Sequence, residues 1–255
     1  MTSVLEQSIR GFWFPVVRCQ EVGMRHVHRS QLLSQELAIW RDDAGQINAW
    51  ENRCPHRGTR LSIGKNTGTE IRCQYHGWRF ASQSGRCTFI PSHPRMEPSP
   101  RYCVNTFECV ERYGYVWVRL EKDKDEDIES LFRLDGKTSL TTLRSVYTIA
   151  PTSRIRDCLK GKRKSELKRN TARYKISLTD IQQHHSFFFE ALAFNHQEDE
   201  SARILIYLHP LTDGATVIHS MVNRTIPYEK RLEELRSYNR IFEHIRKDVE
   251  TVNVA

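Results

Sequence analysis

The sequence predicts a mainly β chain of two domains, an antiparallel β domain followed by an α+β domain. Three observations predict it. Short alternating apolar runs divided by turn signals fill residues 1–120, a charge-dense segment interrupts them at 121–130, and an apolar stripe at three- and four-residue spacing closes the chain. At 255 residues, 38% hydrophobic and 27% charged, the chain is long enough to bury a core in each half.

In the first half, Phe12 to Val17, Leu32 to Trp40, Ile47 to Asn52, Ile71 to Phe80 and Val104 to Leu120 read as strands. Asp43-Ala44-Gly45 and Asn66-Thr67-Gly68 read as turns between them, and no amphipathic helix interrupts the pattern. Residues 121–130, EKDKDEDIES, read as a charged linker. The second domain, 131–255, opens with a short helix through Ile155 and Leu159 that breaks at Gly161. Strands follow over Ala172 to Leu178, Ser186 to Phe194, Arg203 to Leu208 and Ala215 to Val222, the last two joined by the hairpin signal Asp213-Gly214. A helix of about 20 residues runs from Glu229, with Leu232, Leu235, Tyr238, Ile241, Phe242, Ile245 and Val249 on one face. A curved antiparallel sheet is the surface that would bury such a face.

Composition narrows the function classes. No run approaches the ~18 apolar residues of a membrane helix, and the N-terminus lacks a basic start followed by an apolar block. Neither a membrane location nor secretion is expected. Seven cysteines, an odd number scattered along the chain, do not form a disulfide framework and point to the reducing cytoplasm. The formal net charge is +8, and residues 154–175 are strongly basic. That stretch holds one aromatic, Tyr174, so it reads as a solvated face or a docking surface for an acidic protein rather than a nucleic-acid site.

The chemistry is concentrated in Cys54-Pro-His56-Arg57-Gly58 and, with sixteen residues between His56 and the next cysteine, Cys73-Gln-Tyr75-His76-Gly77-Trp78. Each segment mixes one cysteine with one histidine. A zinc finger instead pairs cysteines with cysteines and histidines with histidines. Two thiolates on one iron and two neutral imidazoles on the other are the ligands of a Rieske [2Fe–2S] centre. Cys54, His56, Cys73 and His76 are therefore the expected ligands of one such cluster per chain. Arg57, Gly58, Tyr75, Gly77 and Trp78 are expected around it, with Gly58 and Gly77 letting backbone N–H groups approach the sulfides.

Beyond these ligands, Phe12-Trp13-Phe14-Pro15, Ala49-Trp50-Glu51-Asn52-Arg53, Phe89-Ile90-Pro91 and Arg112-Tyr113-Gly114-Tyr115-Val116-Trp117-Val118 are similar to the Rieske non-haem iron oxygenase family. The resemblance covers about the first 120 residues. With Trp40-Arg41-Asp42-Asp43 and the run around Cys54, it looks closest to the Rieske segment of methylxanthine N-demethylase reductases. Respiratory Rieske proteins carry an extra cysteine pair and hydroxyl residues at the cluster. Here Trp78 and Phe80 stand in the hydroxyl positions, so the resemblance implies a potential of about −150 mV, low in the Rieske range.

The same resemblance implies that the second domain is a shortened helix-grip fold. Family oxygenases hold a mononuclear iron there through two histidines and a carboxylate. The corresponding stretch, Ala150 to Leu159, has Asp157 but no histidine, and no histidine occurs between Pro94 and Gln183. Asp180, His184, His185, His196, His209 and His219 are the other candidates, and His93 belongs to a proline-rich loop near the cluster. Mononuclear Fe(II) is therefore not expected. No Gly-x-Gly-x-x-Gly dinucleotide fingerprint and no plant-ferredoxin cysteine spacing is present. The leading expectation is an electron-transfer component that takes single electrons from a reductase or ferredoxin and passes them to a separate oxygenase subunit. The chain would then have no catalytic residues of its own. A second reading is a terminal oxygenase with a divergent iron site, and a third is a redox-sensing or assembly subunit. The family's trimers make a homo-oligomer an open expectation.

Overall fold

The computed structural model describes residues 8–122, 128, 139–161, 176–185, 187–195 and 200–251, with backbone alone at 161, 176, 177, 179–181, 184, 185, 194, 195 and 200. The chain divides into two compact units, 1–128 and 129–255. The division falls inside the segment expected to be a charged linker, of which 123–127, 129 and 130 lie outside the described residues.

The first unit contains ten strands: β1 (Phe14–Arg18), β2 (Val27–Leu32), β3 (Gln35–Arg41), β4 (Ile47–Glu51), β5 (Lys65–Asn66), β6 (Glu70–Arg72), β7 (Arg79–Ala81), β8 (Cys87–Phe89), β9 (Thr106–Arg112) and β10 (Tyr115–Arg119). A six-stranded antiparallel sheet runs β1-β10-β9-β4-β3-β2, and a four-stranded sheet runs β5-β6-β7-β8. One apolar core joins them. Trp40 and Trp50 from the large sheet meet edge to face, centroids 5.0 Å apart, in the same cluster as Ile71, Trp78, Phe80 and the thiol-bearing Cys54 and Cys73. At about 25 cal/mol per Å² of apolar surface, each buried tryptophan contributes several kcal/mol. A polar strap fixes the register between the sheets. Asn48 Nδ2 donates to Ser82 Oγ at 3.1 Å, Ser82 Oγ donates to Asp42 Oδ2 at 2.6 Å, and Gln83 N–H donates to Asn48 Oδ1 at 2.7 Å.

Three strand expectations are corrected. The run Leu32 to Trp40 contains a hairpin turn at Leu33-Ser34, both at positive φ (48° and 64°). A two-residue hairpin needs that conformation, but neither residue carries the glycine or asparagine that normally signals it. The run Val104 to Leu120 is β9 and β10 folded back at Tyr113-Gly114. The run Ile71 to Phe80 is two three-residue strands, β6 and β7, and the ligand motif is the loop between them.

The second unit holds β11 (Thr141–Thr142), β12 (Val146–Thr148), α1 (Thr152–Gly161), β13 (Ile176–His185), β14 (Phe188–Asn195), β15 (Glu200–Thr212), β16 (Ala215–Val222) and α2 (Tyr228–Glu250). Its antiparallel sheet runs β11-β16-β15-β14-β13, with β12 also pairing β16. Asp213-Gly214 makes the β15–β16 turn, as expected. Helix α2 packs on α1, β12 and β13. Tyr238, Ile241, Phe242, Ile245 and Val249 are buried in α2 as the stripe predicted, but Leu232 is 64% exposed. The buried face instead begins at Glu234, whose carboxylate pairs with Arg224 Nη1 at 3.4 Å. In α1, Ile155 and Leu159 are buried. The basic stretch from 162 to 175 lies outside the described residues.

Candidate metal centre

Two loops of the first unit share one construction. In the loop after β4, the Gly58 N–H donates to Cys54 O at 2.8 Å; in the loop after β6, the Gly77 N–H donates to Cys73 O at 3.1 Å. Each loop is pinned again from its cysteine, Cys54 N–H to Thr59 O and Cys73 N–H to Trp78 O, both at 2.8 Å. Gly58 (φ +75°) and Gly77 (φ +70°) occupy left-handed conformations that a side chain disfavours. Their N–H groups close the turns. The cysteine sulfurs themselves accept from backbone N–H groups, those of His56 and Arg57 to Cys54, and of Tyr75 and His76 to Cys73.

The loops bring their side chains together as two like pairs. Cys54 and Cys73 are buried and share a hydrogen bond. Donation from Cys54 draws the Cys73 thiol below its ordinary range, and Cys54 is held up by the same bond. The pair thus releases its first proton readily, as thiolate ligands require. Closer to solvent, the Nδ1 atoms of His56 and His76 lie 3.1 Å apart, with ring centroids 4.7 Å apart and planes inclined at 62°. Desolvation, then His76, then the Arg57 guanidinium hold His56 below its usual pKa, which favours the neutral imidazole a metal needs.

Around this core, Trp78 stacks on His56 (4.4 Å, 6°) and Tyr75 leans on His76 (3.8 Å, 33°). Trp78 is buried, whereas Tyr75 and Arg57 are exposed. Gly77 is backed by Pro91 and Gly58 by the Arg53 guanidinium. Apart from the closeness of the two motifs, nothing in the sequence signals the His56–Trp78 stack.

Among the described residues, no three or more His, Cys, Asp or Glu side chains converge on a single ion. The thiol pair and the imidazole pair are two donor sets, which suits a binuclear cluster with a different ligand pair on each iron. The residues present fit a Rieske centre.

The other candidates are placed differently. His93 lines the groove beside His56 and His76. In the second unit, His209 Nδ1 and His219 Nε2 are also 3.1 Å apart, but their rings are inclined by only 17° with centroids 5.3 Å apart. The near-coplanar rings and short N···N distance suit a hydrogen bond between His209 and His219, whereas the His56 and His76 planes are steeply inclined. Ser145 Oγ, which sequence reasoning missed, lies 2.7 Å from His219 Nδ1 and extends the polar chain to a half-buried residue. His196 and the side chains of Asp180, His184 and His185 lie outside the described residues.

Residues 12–108 match the Rieske [2Fe–2S] domain model, so the first unit carries a Rieske domain, which supports a Rieske cluster. The chain is 51% identical over 119 residues to the oxidoreductase NdmD of Pseudomonas putida, covering 47% of this chain and 20% of that protein. It is 32% identical over 122 residues to the methylxanthine N1-demethylase NdmA of the same species, covering 46% and 34%. The matched region is thus a fifth to a third of these relatives' length. In fold, the likeness extends further: the structure of Pseudomonas putida NdmB superposes with a TM-score of 0.74 at 20% identity, covering 95% of this chain and 82% of that one. The chain therefore shares the fold of that structure, a Rieske β domain followed by a second sheet and a C-terminal helix.

Proposed function

We propose that the chain is an electron-transfer component of a multi-subunit oxygenase or demethylase system. It would relay single electrons from a reductase or ferredoxin to a separate iron-containing oxygenase subunit. Cys54 and Cys73 would hold one iron of a [2Fe–2S] cluster, and His56 and His76 the other. When bound, the cluster takes up and releases one electron at a time. The chain's own residues do the rest. The paired N–H donors of each loop stabilise the sulfurs, Trp78 and Tyr75 fix the imidazole planes, and the half-exposed histidines give the electron a short path to a partner.

The observation that carries this reading is α1. At the position where the resemblance puts catalytic iron ligands, α1 offers Asp157 and Cys158 among Arg154, Arg156 and Lys160, and no histidine. The described histidines of the sheet, His209 and His219, are engaged with each other and with Ser145. We read the second unit, from about 131, as a helix-grip scaffold without a mononuclear iron site. Seven free cysteines support a reducing, cytoplasmic setting, and among the described residues no helix is long and apolar enough to cross a membrane.

The test is a reoxidation assay. Protein reduced anaerobically is mixed with O₂ and a methylxanthine, with and without a demethylase of the NdmA kind in its oxidised form. Rapid reoxidation coupled to demethylation only when the partner is present is expected. Product formation without the partner would make the chain an oxygenase in its own right, the reading that the whole-chain likeness in fold favours second.

A further inference from the structure

We propose that Asn52 is a positioning residue for the metal centre: with Glu36 it clamps shut the stem of the loop that carries Cys54 and His56. The proposal rests on the assignment of those two residues as cluster ligands.

The two ligand loops are closed at their bases in different ways. The second, Cys73 to Trp78, springs from a strand ladder, because Arg72 at the end of β6 pairs with Arg79 at the start of β7. The first has no ladder at its base among the described residues. β4 stops at Glu51, and the chain leaves the loop into a short 3-10 turn, Leu61–Ile63. Side chains take the place of the ladder. Asn52, just before the loop, accepts from the Ser62 N–H at 2.8 Å and donates to Ser62 Oγ at 3.0 Å, which ties the two stems reciprocally. Its side-chain amide also donates to Glu36 Oε2 at 3.4 Å. The same carboxylate accepts from Arg60 Nε and Nη2, on the far stem, at 2.8 and 2.9 Å. Glu36 lies in β3, and its backbone carbonyl accepts the Asn52 N–H at 2.9 Å. Both stems are thereby fastened to the large sheet.

Burial decides which part of the clamp carries the load. Arg60 is about half exposed, so water competes with its pairing to Glu36. Asn52 is 3% exposed, and buried polar groups that lose their partners are costly. A polar cleft of about 450 Å³, lined by Glu36, Asn52, Arg53, Gly58 and Arg60, opens beside the loop. Releasing the clamp would let water from that cleft reach the stem and free Cys54 and His56 to shift. Removing a group that orients a metal ligand through hydrogen bonds weakens metal retention by about tenfold or more.

The test compares Asn52→Ala with Asn48→Ala in anaerobically purified holoprotein. Asn48 is the matched control. It lies in β4, is 2% exposed, and bonds through its side chain to Ser82 and Gln83, outside both ligand loops. Both variants should lose stability to urea by similar amounts. Only Asn52→Ala should release iron to a ferrous chelator at least about tenfold faster than the parent. Only Asn52→Ala should shift the g-values of the reduced cluster in its electron paramagnetic resonance spectrum. A second pair serves if Asn52→Ala does not fold. Arg60→Gln and Arg29→Gln each remove one exposed arginine from Glu36, but only Arg60 lies on the loop's stem. Arg60→Gln should speed iron release about twofold or more, and Arg29→Gln should match the parent. Iron release and g-values that do not separate Asn52→Ala from Asn48→Ala would overturn the clamp and leave the ligand assignment in place. Where Asn52→Ala does not fold, equal iron release from the two arginine variants would do the same. A purified parent holding no [2Fe–2S] cluster, read as iron and acid-labile sulfide, would overturn the ligand assignment and the clamp with it.

Discussion

Gly77 sits at φ +70°, and a Cβ placed there would lie 3.1 Å from Pro91 Cγ. Gly77→Ala should therefore cost about 1 kcal/mol or more in urea denaturation and lower the iron bound after purification. Gly214, with open space around its Cβ position, is the contrast, and Gly214→Ala should stay within about 0.5 kcal/mol. The ligands make a sharper prediction. Replacing one imidazole by a thiolate adds negative charge to the cluster, so His76→Cys should move the potential from about −150 mV towards about −400 mV, measured by protein-film voltammetry. An unchanged potential in a variant that keeps its iron would show that His76 is not a ligand. The four donors were legible because Cys-x-His and Cys-x-x-His are rare patterns whose chemistry is narrow. The N–H donors to the cysteine sulfurs, from His56, Arg57, Tyr75 and His76, were not legible, because the glycine spacing signals the turn and not which amide points inward.

Strands and helices carry their own tests. The Arg41 guanidinium reaches from β3 to both carboxylate oxygens of Glu111 in β9, at 2.5 and 2.6 Å. That pairing holds the Glu111 carboxyl below its ordinary 4.5. Its contribution to stability is thus fully present above about pH 4.5 and is lost as pH falls through the lower folded value. Glu111→Gln should flatten the acid limb of a stability–pH curve, and an unaltered limb would remove the pair from the account. In α2, Glu234→Ala removes the buried carboxylate beside Arg224 and should cost about 1–3 kcal/mol. Leu232→Ser, on the exposed side, should change stability by less than about 0.5 kcal/mol. The order of these two effects tests the register of the helix. Periodicity alone assigned Leu232 to the buried face, since it sees spacing and not where the sheet begins. The β2–β3 hairpin was missed for a related reason: Leu33 and Ser34 adopt positive φ under tertiary constraint, with no glycine to announce it.

At the scale of the whole molecule, the two units were unequally legible. The first is dense in motifs that each demand a local geometry, and its large sheet, small sheet and paired loops follow from them. The second offered hydrophobic patterning without a site motif. Patterning predicts a sheet and a helix but not the chain from Ser145 through His219 to His209, which depends on three residues far apart in sequence meeting in one core. Whether that unit also holds a metal decides between a carrier and an oxygenase. The measurement that tests this most directly is iron and acid-labile sulfide per chain in anaerobically purified protein. The account predicts two irons and two sulfides, with the cluster as the only metal site. Three irons with two sulfides would contradict it and make the second unit a catalytic one.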